Sequence, residues 1–523
     1  MAKLMIDRST DSTIDHWLRE NAAKSPNKTA LNFLGDGHIR YNYSQLLRAV
    51  DNTAAVLQHK LGLLRGDRIA FYGKNSDEEL ILLFAAAALG LIFVPLNWRL
   101  APRELNYITG NAAIRALFVD DHFAKFAPDV LGEQESVQMI STGKSALDGS
   151  LSLRQLREQN AEPPNLGTAK IDDPFLIVFT SGTTGRPKGA VHTQASVWAN
   201  AFASIDAFEL NSEDHILNFL PLFHVGGINI QTLPTLYVGG TVTLAEQFLP
   251  EMFVHGVTSA KITSITLVPT ILRALMSMEE WSELDISSLK SMALGSTDVP
   301  TELIDAVHKK GVPVIQIYGA TETGPVTIYQ KRSEAHDSVG SIGHAGLNTE
   351  IRLVADGQDV ALGEPGEIFV RAPNCFIGYW DNPTATDDAF ADGWFKTGDI
   401  ASKDRNGFYW FCDRSKNIII SGGENIYPAE IERILSRQPG VEEVAVVGQS
   451  DPRWGEVPVA VVIAQDNFNS EKFLKSLDGQ IAGFKKPKSV LVTESIPKNA
   501  MGKVVYSELK EVVGKSEHNQ TMN

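Results

Sequence analysis

The chain runs to 523 residues, more than one hydrophobic core usually organises, so two or more domains are expected. Its 43% apolar and 21% charged residues are those of an ordinary globular protein, and a formal net charge of -16 argues against nucleic acid or an anionic membrane as partner, since either wants a basic face. Two cysteines, Cys375 and Cys412, can neither frame a disulfide scaffold nor offer metal-ligand spacing, which suits a reducing, cytoplasmic setting.

The first residues turn acidic and polar before any long apolar stretch, so no secretory signal is expected, and the closing Thr521, Met522 and Asn523 are not a peroxisomal address. Residues 80–96 form the one membrane-like segment. Gly90 and Pro95 interrupt it and it is short for a span, so it predicts a buried helix running into a buried strand and no integral membrane segment. Behind the apolar run 175–179 come Thr180, Ser181, Gly182, Thr183, Thr184, Gly185, Arg186, Pro187, Lys188 and Gly189. Glycines let backbone amides approach an anion, hydroxyls donate to phosphoryl oxygens, and Lys188 with Arg186 supplies charge. The loop reads as a phosphate grip without Walker A spacing, against the plainer reading of a turn-rich linker.

From 170 to 345, apolar runs such as 262–268 and 312–318 alternate with helical patterns from Pro269 and over 301–309. That alternation predicts an α/β fold with doubly wound, mostly parallel sheets, and active residues beyond the strands' carboxyl ends. Short strands and Gly-rich turns after 350, as over 364–370, predict a small β subdomain. Strands at 417–421, 441–447, 457–464 and 489–493 with helices at 428–438 and 470–481 predict a small mobile α+β C-terminal domain. The expected division is 1–412 and 417–523 with a hinge at 413–416, and the last eight or so residues read as disordered.

Six further constellations carry chemistry. His224 lies in Pro221-Leu222-Phe223-His224-Val225-Gly226-Gly227, where a lone histidine among apolar residues is usually a core group. Gly295, Ser296 and Thr297 follow a strand. Gln316, Tyr318, Gly319, Ala320, Thr321, Glu322, Thr323, Gly324 and Pro325 place an aromatic that can stack on a purine, a hydroxyl for a phosphate or carboxylate, and a hard oxygen ligand for Mg²⁺. Asp399 closes a tight turn, where it can accept from both ribose hydroxyls. Ser421, Gly422, Gly423 and Glu424 form a loop able to line a narrow tunnel, and Lys503 sits in a terminal Gly-Lys motif.

Taken together, these motifs resemble the adenylate-forming superfamily of acyl-CoA synthetases, adenylation domains and luciferases, over nearly the whole chain. The resemblance implies ATP with Mg²⁺ and coenzyme A as co-substrate, and an ATP-dependent carboxylate–CoA ligase acting through an acyl-adenylate. It implies that the 180–189 loop, Gly295 to Thr297, Gln316, Tyr318, Gly319, Asp399 and Arg414 bind the nucleotide, that Thr321 and Glu322 serve phosphate and metal, and that Lys503 stabilises the first transition state. His224 would gate the thiol tunnel, Lys416 would be the hinge, and Ser421 to Glu424 would face the pantetheine arm. Asp413 and Asn417 depart from the commonest family form, which has Gly before the Arg and Asp at the later position.

Val225, Gly226, Gly227, Asn229, Ala320, Gly324 and Pro325 are the expected acyl pocket. Its small residues leave room for a chain or a ring, and no cation appears there to pair a second carboxylate, although Asn229 and Thr297 can meet a hydroxyl. The expected acid is a medium or long aliphatic monocarboxylate first and a hydroxycinnamate type second. A stand-alone enzyme loading a carrier protein is the alternative, which the lack of a carrier domain after Asn523 disfavours. Luciferase-type oxygenation and a non-enzymatic nucleotide sensor compete less well, and a homodimer stays open.

Overall fold

The computed structural model describes residues 13–520 apart from 36–37, 144–151, 160–161, 181–185, 296–298, 422–423, 452, 467, 479, 481 and 500–502. The chain divides into two compact units, one of Met1–Ile351 with Val370–Phe395 and one of Arg352–Phe369 with Lys396–Asn523.

Two sheets organise the first unit. The larger has nine strands in the order His344–Ala345, Gly324–Tyr329, Val314–Ala320, Ser291–Gly295, Ser264–Leu267, His215–Asn218, Thr241–Ala245, Thr29–Leu34 and Ile39–Asn42. Its inner pairings are parallel, and antiparallel strands close both edges. The second has seven strands, Gly378–Tyr379, Lys188–Thr193, Pro174–Thr180, Ile92–Leu96, Arg68–Tyr72, Ala116–Val119 and Gln138–Ser141. Its strands Ile92–Leu96 and Ala116–Val119 are buried throughout, which is why they read as unbroken apolar runs.

The helix Asp77–Leu89 is buried along its whole length, starts where the Ser76 side chain accepts from the Glu79 amide, and leads into the strand Ile92–Leu96. The buried helix and buried strand expected over 80–96 are therefore present, and among the described residues no helix is long and apolar enough to cross a membrane. One core joins Leu82 and Phe84 of this helix to Leu31 and Val242 of the larger sheet and Phe71, Phe93 and Phe175 of the smaller. Truncating the fully buried Phe84 to Ala should cost about 3–5 kcal/mol, since the surrounding layers cannot collapse onto it.

The second unit holds two smaller sheets. Glu350–Ala355, Gly366–Arg371, Trp394–Lys403 and Tyr409–Arg414 contribute to the first. In the other, Gly455–Ala464 pairs with Val441–Asp451, Ile419–Ser421 and Ser489–Val492. Along Gly455–Ala464 the side chains alternate: Ala460 and Val462 pack with Ile431 and Leu435 of the helix Pro428–Leu435, whereas Val459 and Val461 pack with Leu509 and Val513 of the helix Tyr506–Gln520.

Three local expectations are corrected. The helix expected over 470–481 ends at Lys475, where the Ser476 amide still bonds the Lys472 carbonyl and the chain then turns through Leu477 and Asp478. The strand expected from 417 begins at Ile419, because Asn417 donates its amide to Asp413 and closes a tight turn over Ser415–Asn417. At the C-terminus the helix runs through Gln520 where disorder is expected, anchored by Leu509 and Val513 and supported by a Glu511–Lys515 pair one turn apart.

Candidate active site

In the first unit the Ser/Thr/Gly loop joins two antiparallel strands, with Thr180 and Lys188 directly opposite each other. It is therefore a hairpin loop rather than a strand-to-helix turn. Ser181, Gly182, Thr183, Thr184 and Gly185 lie outside the described residues. Lys188 reaches over the ring of Tyr379, Nζ to centroid 5.2 Å, and Arg186 over that of Tyr107.

The Thr321–Thr323 turn follows the strand Val314–Ala320, next to the end of Ser291–Gly295, where Gly295 sits opposite Ile317. Pairing with Gly324–Tyr329 slips between Tyr318 and Ala320, and a Cβ on Gly319 would stand 2.6 Å from the backbone of Gly324 and Pro325, so only glycine fits the bulge. Tyr318, Thr321 and Glu322 are partly exposed; Gln316 is buried, and its Oε1 meets no donor among the described residues.

Four groups from distant segments grip that turn. His192 Nε2 is 2.7 Å from the Thr321 carbonyl, which can only accept, so this nitrogen carries the proton. Burial pushes the His192 imidazolium down to about 4, so the ring is neutral in the physiological range. The Phe376 amide donates to the Glu322 carbonyl at 2.7 Å, Asn374 Nδ2 to the Thr323 carbonyl at 2.8 Å, and the Tyr379 hydroxyl to Glu322 Oε1 at 2.9 Å.

The expected acyl-pocket pieces do come together. His224 packs edge-on against Phe223, and the π-helical turn Gly227–Thr232 follows. Asn200, on the buried helix Gln194–Phe208, donates to the Asn229 carbonyl at 2.7 Å and accepts from the Val326 amide at 3.2 Å, tying the two halves of the expected pocket. Asn229 is buried and its Oδ1 has no partner among the described residues. Gly227 has a different reason to be small: a Cβ there would collide with the Pro221 carbonyl, so its size serves backbone packing. Gly226 faces only Ile230, at ordinary contact distance. Ser296 and Thr297 are outside the described residues.

In the second unit Asp399 and Arg414 are opposite each other on paired strands, Nε to Oδ1 3.1 Å, with Asp399 buried. The turn before Asp399 is held by Glu367, which accepts from the Gly398 amide at 2.9 Å. Lys503 belongs to a short turn in which its amide donates to Asn499 Oδ1 and its carbonyl accepts from the Asn499 amide. Burial and the nearby Arg414 pull the Lys503 ammonium down to about 8, with Asp399 partly offsetting them. Partial desolvation and Arg414 lower Lys416 as well. Lys503, Asp399 and Arg414 thus share one electrostatic neighbourhood.

Buried Asp413 accepts from the Arg414 amide, from Asn417 Nδ2 at 3.2 Å and from the Ala429 amide at 2.8 Å, at the first turn of the helix Pro428–Leu435. The two residues that depart from the commonest family form are therefore bonded to each other. Ser421 is buried and pairs with Glu424; Gly422 and Gly423 are outside the described residues. Lys485 and Lys486 are ion-paired with Glu430 and Asp478.

His192, Asn200, Asn374 and Tyr379 carry much of this geometry and do not stand out in the sequence. The one local signal is the Gly378-Tyr379 pair closing a short strand.

A Ser/Thr/Gly-rich hairpin loop and a strand-end Thr-Glu turn in one α/β unit, with a lysine-bearing unit of the α+β kind after it, agree with the adenylate-forming resemblance of the sequence. The AMP-binding enzyme family model matches residues 18–380, and the AMP-binding enzyme C-terminal domain matches 430–503. The chain belongs to this family. It is 40% identical over 509 residues to an indoleacetate–CoA ligase of Aromatoleum aromaticum, covering 96% of this chain and 98% of that one. A feruloyl-CoA synthase of an Amycolatopsis species is 36% identical, at 95% and 98% coverage. Among solved structures, an o-succinylbenzoate coenzyme A synthetase of Bacillus subtilis in complex with ATP and a magnesium ion superposes with a TM-score of 0.84 at 29% identity, covering 95% of this chain and 99% of that one. The chain is an ATP-dependent, AMP-forming acid–thiol ligase of the acyl- or aryl-CoA ligase type.

Proposed function

We propose that the protein joins an aryl-alkanoic or aryl-propenoic monocarboxylic acid to coenzyme A. A carboxylate oxygen attacks the α-phosphorus of ATP, the bond to the β-phosphate breaks, and pyrophosphate leaves. The CoA sulfur then attacks the acyl carbonyl, its proton passes to solvent, the carbon–oxygen bond breaks and AMP departs. Lys503 offsets the repulsion between carboxylate and phosphate in the first step, Asp399 accepts from the ribose hydroxyls with Arg414 beside it, and Thr321 and the 180–189 loop hold phosphates. The observation that carries this reading is the shared neighbourhood of Lys503, Asp399 and Arg414, which puts the charge for α-phosphate chemistry beside the ribose acceptor.

Among the described residues no group of three or more His, Cys, Asp or Glu can cage a metal. A single Glu322 beside Thr321 fits a Mg²⁺ held chiefly by nucleotide phosphates. The ion would neutralise phosphate charge; Glu322 would hold it and Thr321 would orient the phosphate. His224 gates the thiol path, Lys416 is the hinge of a domain swing about residues 413–416, and the Ser421 to Glu424 loop lines the pantetheine tunnel.

Sequence alone puts aliphatic acids before aryl ones; the indoleacetate and ferulate enzymes among the relatives support placing aryl acids first. The absence of cations from 225–231 and 320–326 supports a monocarboxylate. The test is kcat/KM for indole-3-acetate, ferulate, octanoate, acetate and malonate, with thioester identified by mass spectrometry. An aryl acid should lead with octanoate behind it; preference for acetate or malonate, or no thioester at all, sinks the reading.

A further inference from the structure

The strand Gly378–Tyr379 lies at the edge of the seven-stranded sheet beside Lys188–Thr193, with Tyr379 opposite Ala190. Its backbone is pinned on both sides: the Tyr379 amide donates to Thr386 Oγ1 at 2.9 Å, and the Trp380 amide to the Gly189 carbonyl at 2.7 Å. The ring packs edge-on against Phe376 with centroids 5.0 Å apart, so the side chain has little freedom. One face of that fixed ring lies under the Lys188 ammonium, and its hydroxyl donates to Glu322 Oε1. Lys188 and Glu322 come from segments more than a hundred residues apart, and one side chain touches both.

We propose that Tyr379 is a positioning residue that presents the phosphate-binding cation Lys188 and the metal ligand Glu322 as one preorganised unit. This rests on the reading of Glu322 and Lys188 given above. A carboxylate has about four acceptor sites, so one phenol bond orients Glu322 while leaving it able to ligate a cation. An ordinary phenol keeps its proton at neutral pH, so against a carboxylate, which can only accept, the Tyr379 hydroxyl is the donor. Partners of this kind fix the angle at which a ligand meets a metal, and their loss weakens metal binding without removing the ligand itself. The ring face holds Lys188 by cation–π attraction, which Phe would retain and Leu would not.

The experiment titrates Mn²⁺ into the full-length enzyme with α,β-methylene-ATP present and follows free Mn²⁺ by electron paramagnetic resonance. Parent, Tyr379→Phe, Tyr379→Leu and Glu322→Gln are compared, with the melting temperature of each. Tyr379→Phe should weaken Mn²⁺ binding about 10- to 100-fold, as loss of an outer-shell partner does. It should raise the KM for Mg²⁺ while leaving kcat at saturating Mg²⁺ and the melting temperature near the parent's. Tyr379→Leu should also raise the KM for ATP. Mn²⁺ affinity within about twofold of the parent in Tyr379→Phe, alongside a loss in Glu322→Gln, overturns the inference alone; no loss in Glu322→Gln overturns the reading of Glu322 with it. If Tyr379→Phe melts early, the double variant decides: no further loss of Mn²⁺ in the Glu322→Gln background supports the coupling, and an equal loss in both backgrounds refutes it.

Discussion

The Glu322 turn and the Lys503 turn both present chemistry-bearing side chains, yet they are held by opposite means. Four groups from remote parts of the first unit fix the Glu322 turn, two of them buried at sequence separations of 129 and 51. The backbone of Lys503 is bonded to Asn499, four residues earlier, in both directions. A network of buried hydrogen bonds opens only by paying for unsatisfied polar groups, whereas a local turn moves as a piece. The first arrangement suits a site needed unchanged in both half-reactions; the second suits a group delivered for one of them.

The largest expected effect separates these roles. Lys503→Ala should lower acyl-adenylate formation about 10²- to 10³-fold, the scale of losing one electrostatic donor aimed at a transition state. Transfer of a supplied acyl-adenylate to CoA should stay within a few-fold of the parent. Gly423→Leu, at a position outside the described residues, should do the reverse by filling the tunnel. Equal depression of pyrophosphate exchange by both would remove the ground for treating Lys503 as delivered.

Ala320→Trp sharpens the comparison from the clamped side. Ala320 begins the Glu322 turn, its amide accepted by Thr323 Oγ1 at 2.9 Å, so an indole there must project without displacing the turn. Preference should shift from aryl acids toward acetate by about 10- to 200-fold in the kcat/KM ratio, the range that pocket size alone can give. A uniform loss for every acid would mean that the turn itself had moved.

Acidity gives a smaller and graded effect. In the proposed mechanism Lys503 works as the charged ammonium, which burial and Arg414 pull down to about 8 from a free lysine's 10.5. Adenylation should therefore fall as pH rises through about 8, and transfer from supplied acyl-adenylate should lack that limb. Stability runs the other way. Between the folded and unfolded values the unfolded chain binds more protons at this site, so the penalty of burying the charge is full below about 8 and fades toward 10.5. Parallel pH profiles for both half-reactions would detach the limb from Lys503.

Much of the fold is legible because a strand buried on both faces, such as Ala116–Val119, must read as an apolar run, and a helix such as Asp77–Leu89 needs its cap at Ser76. The residues proposed to face ligands are legible for a related reason: phosphate and metal chemistry narrows the side chains that can serve. The clamp is not. His192, Asn374 and Tyr379 act through single bonds to a turn 129, 51 and 57 residues away, and apart from the Gly378-Tyr379 pair nothing in their local pattern differs from that of a core residue. Nor does composition show that the phosphate loop closes a hairpin, since pairing between Thr180 and Lys188 depends on the strand that follows.

The smallest effect concerns the turn beside Lys416. Asp413 is buried and satisfies three donors, the Arg414 and Ala429 amides and Asn417 Nδ2. Asp413→Ala should cost about 1–2 kcal/mol in denaturant unfolding, mainly through the lost helix cap at Ala429. Asn417→Ala gives up one donor and should cost about 1 kcal/mol. Asn417→Asp is more telling, since it sets a second carboxylate against Asp413, a repulsion of order a few kcal/mol if both stay charged near a protein surface. The commonest family form pairs Asp at this position with Gly in place of Asp413, so the two departures should compensate. In an Asp413→Gly background, Asn417→Asp should cost at least about 1 kcal/mol less than in the parent. Equal costs in both backgrounds would mean that Asn417 answers to something other than Asp413, and that the hydrogen bond between them does not set this turn.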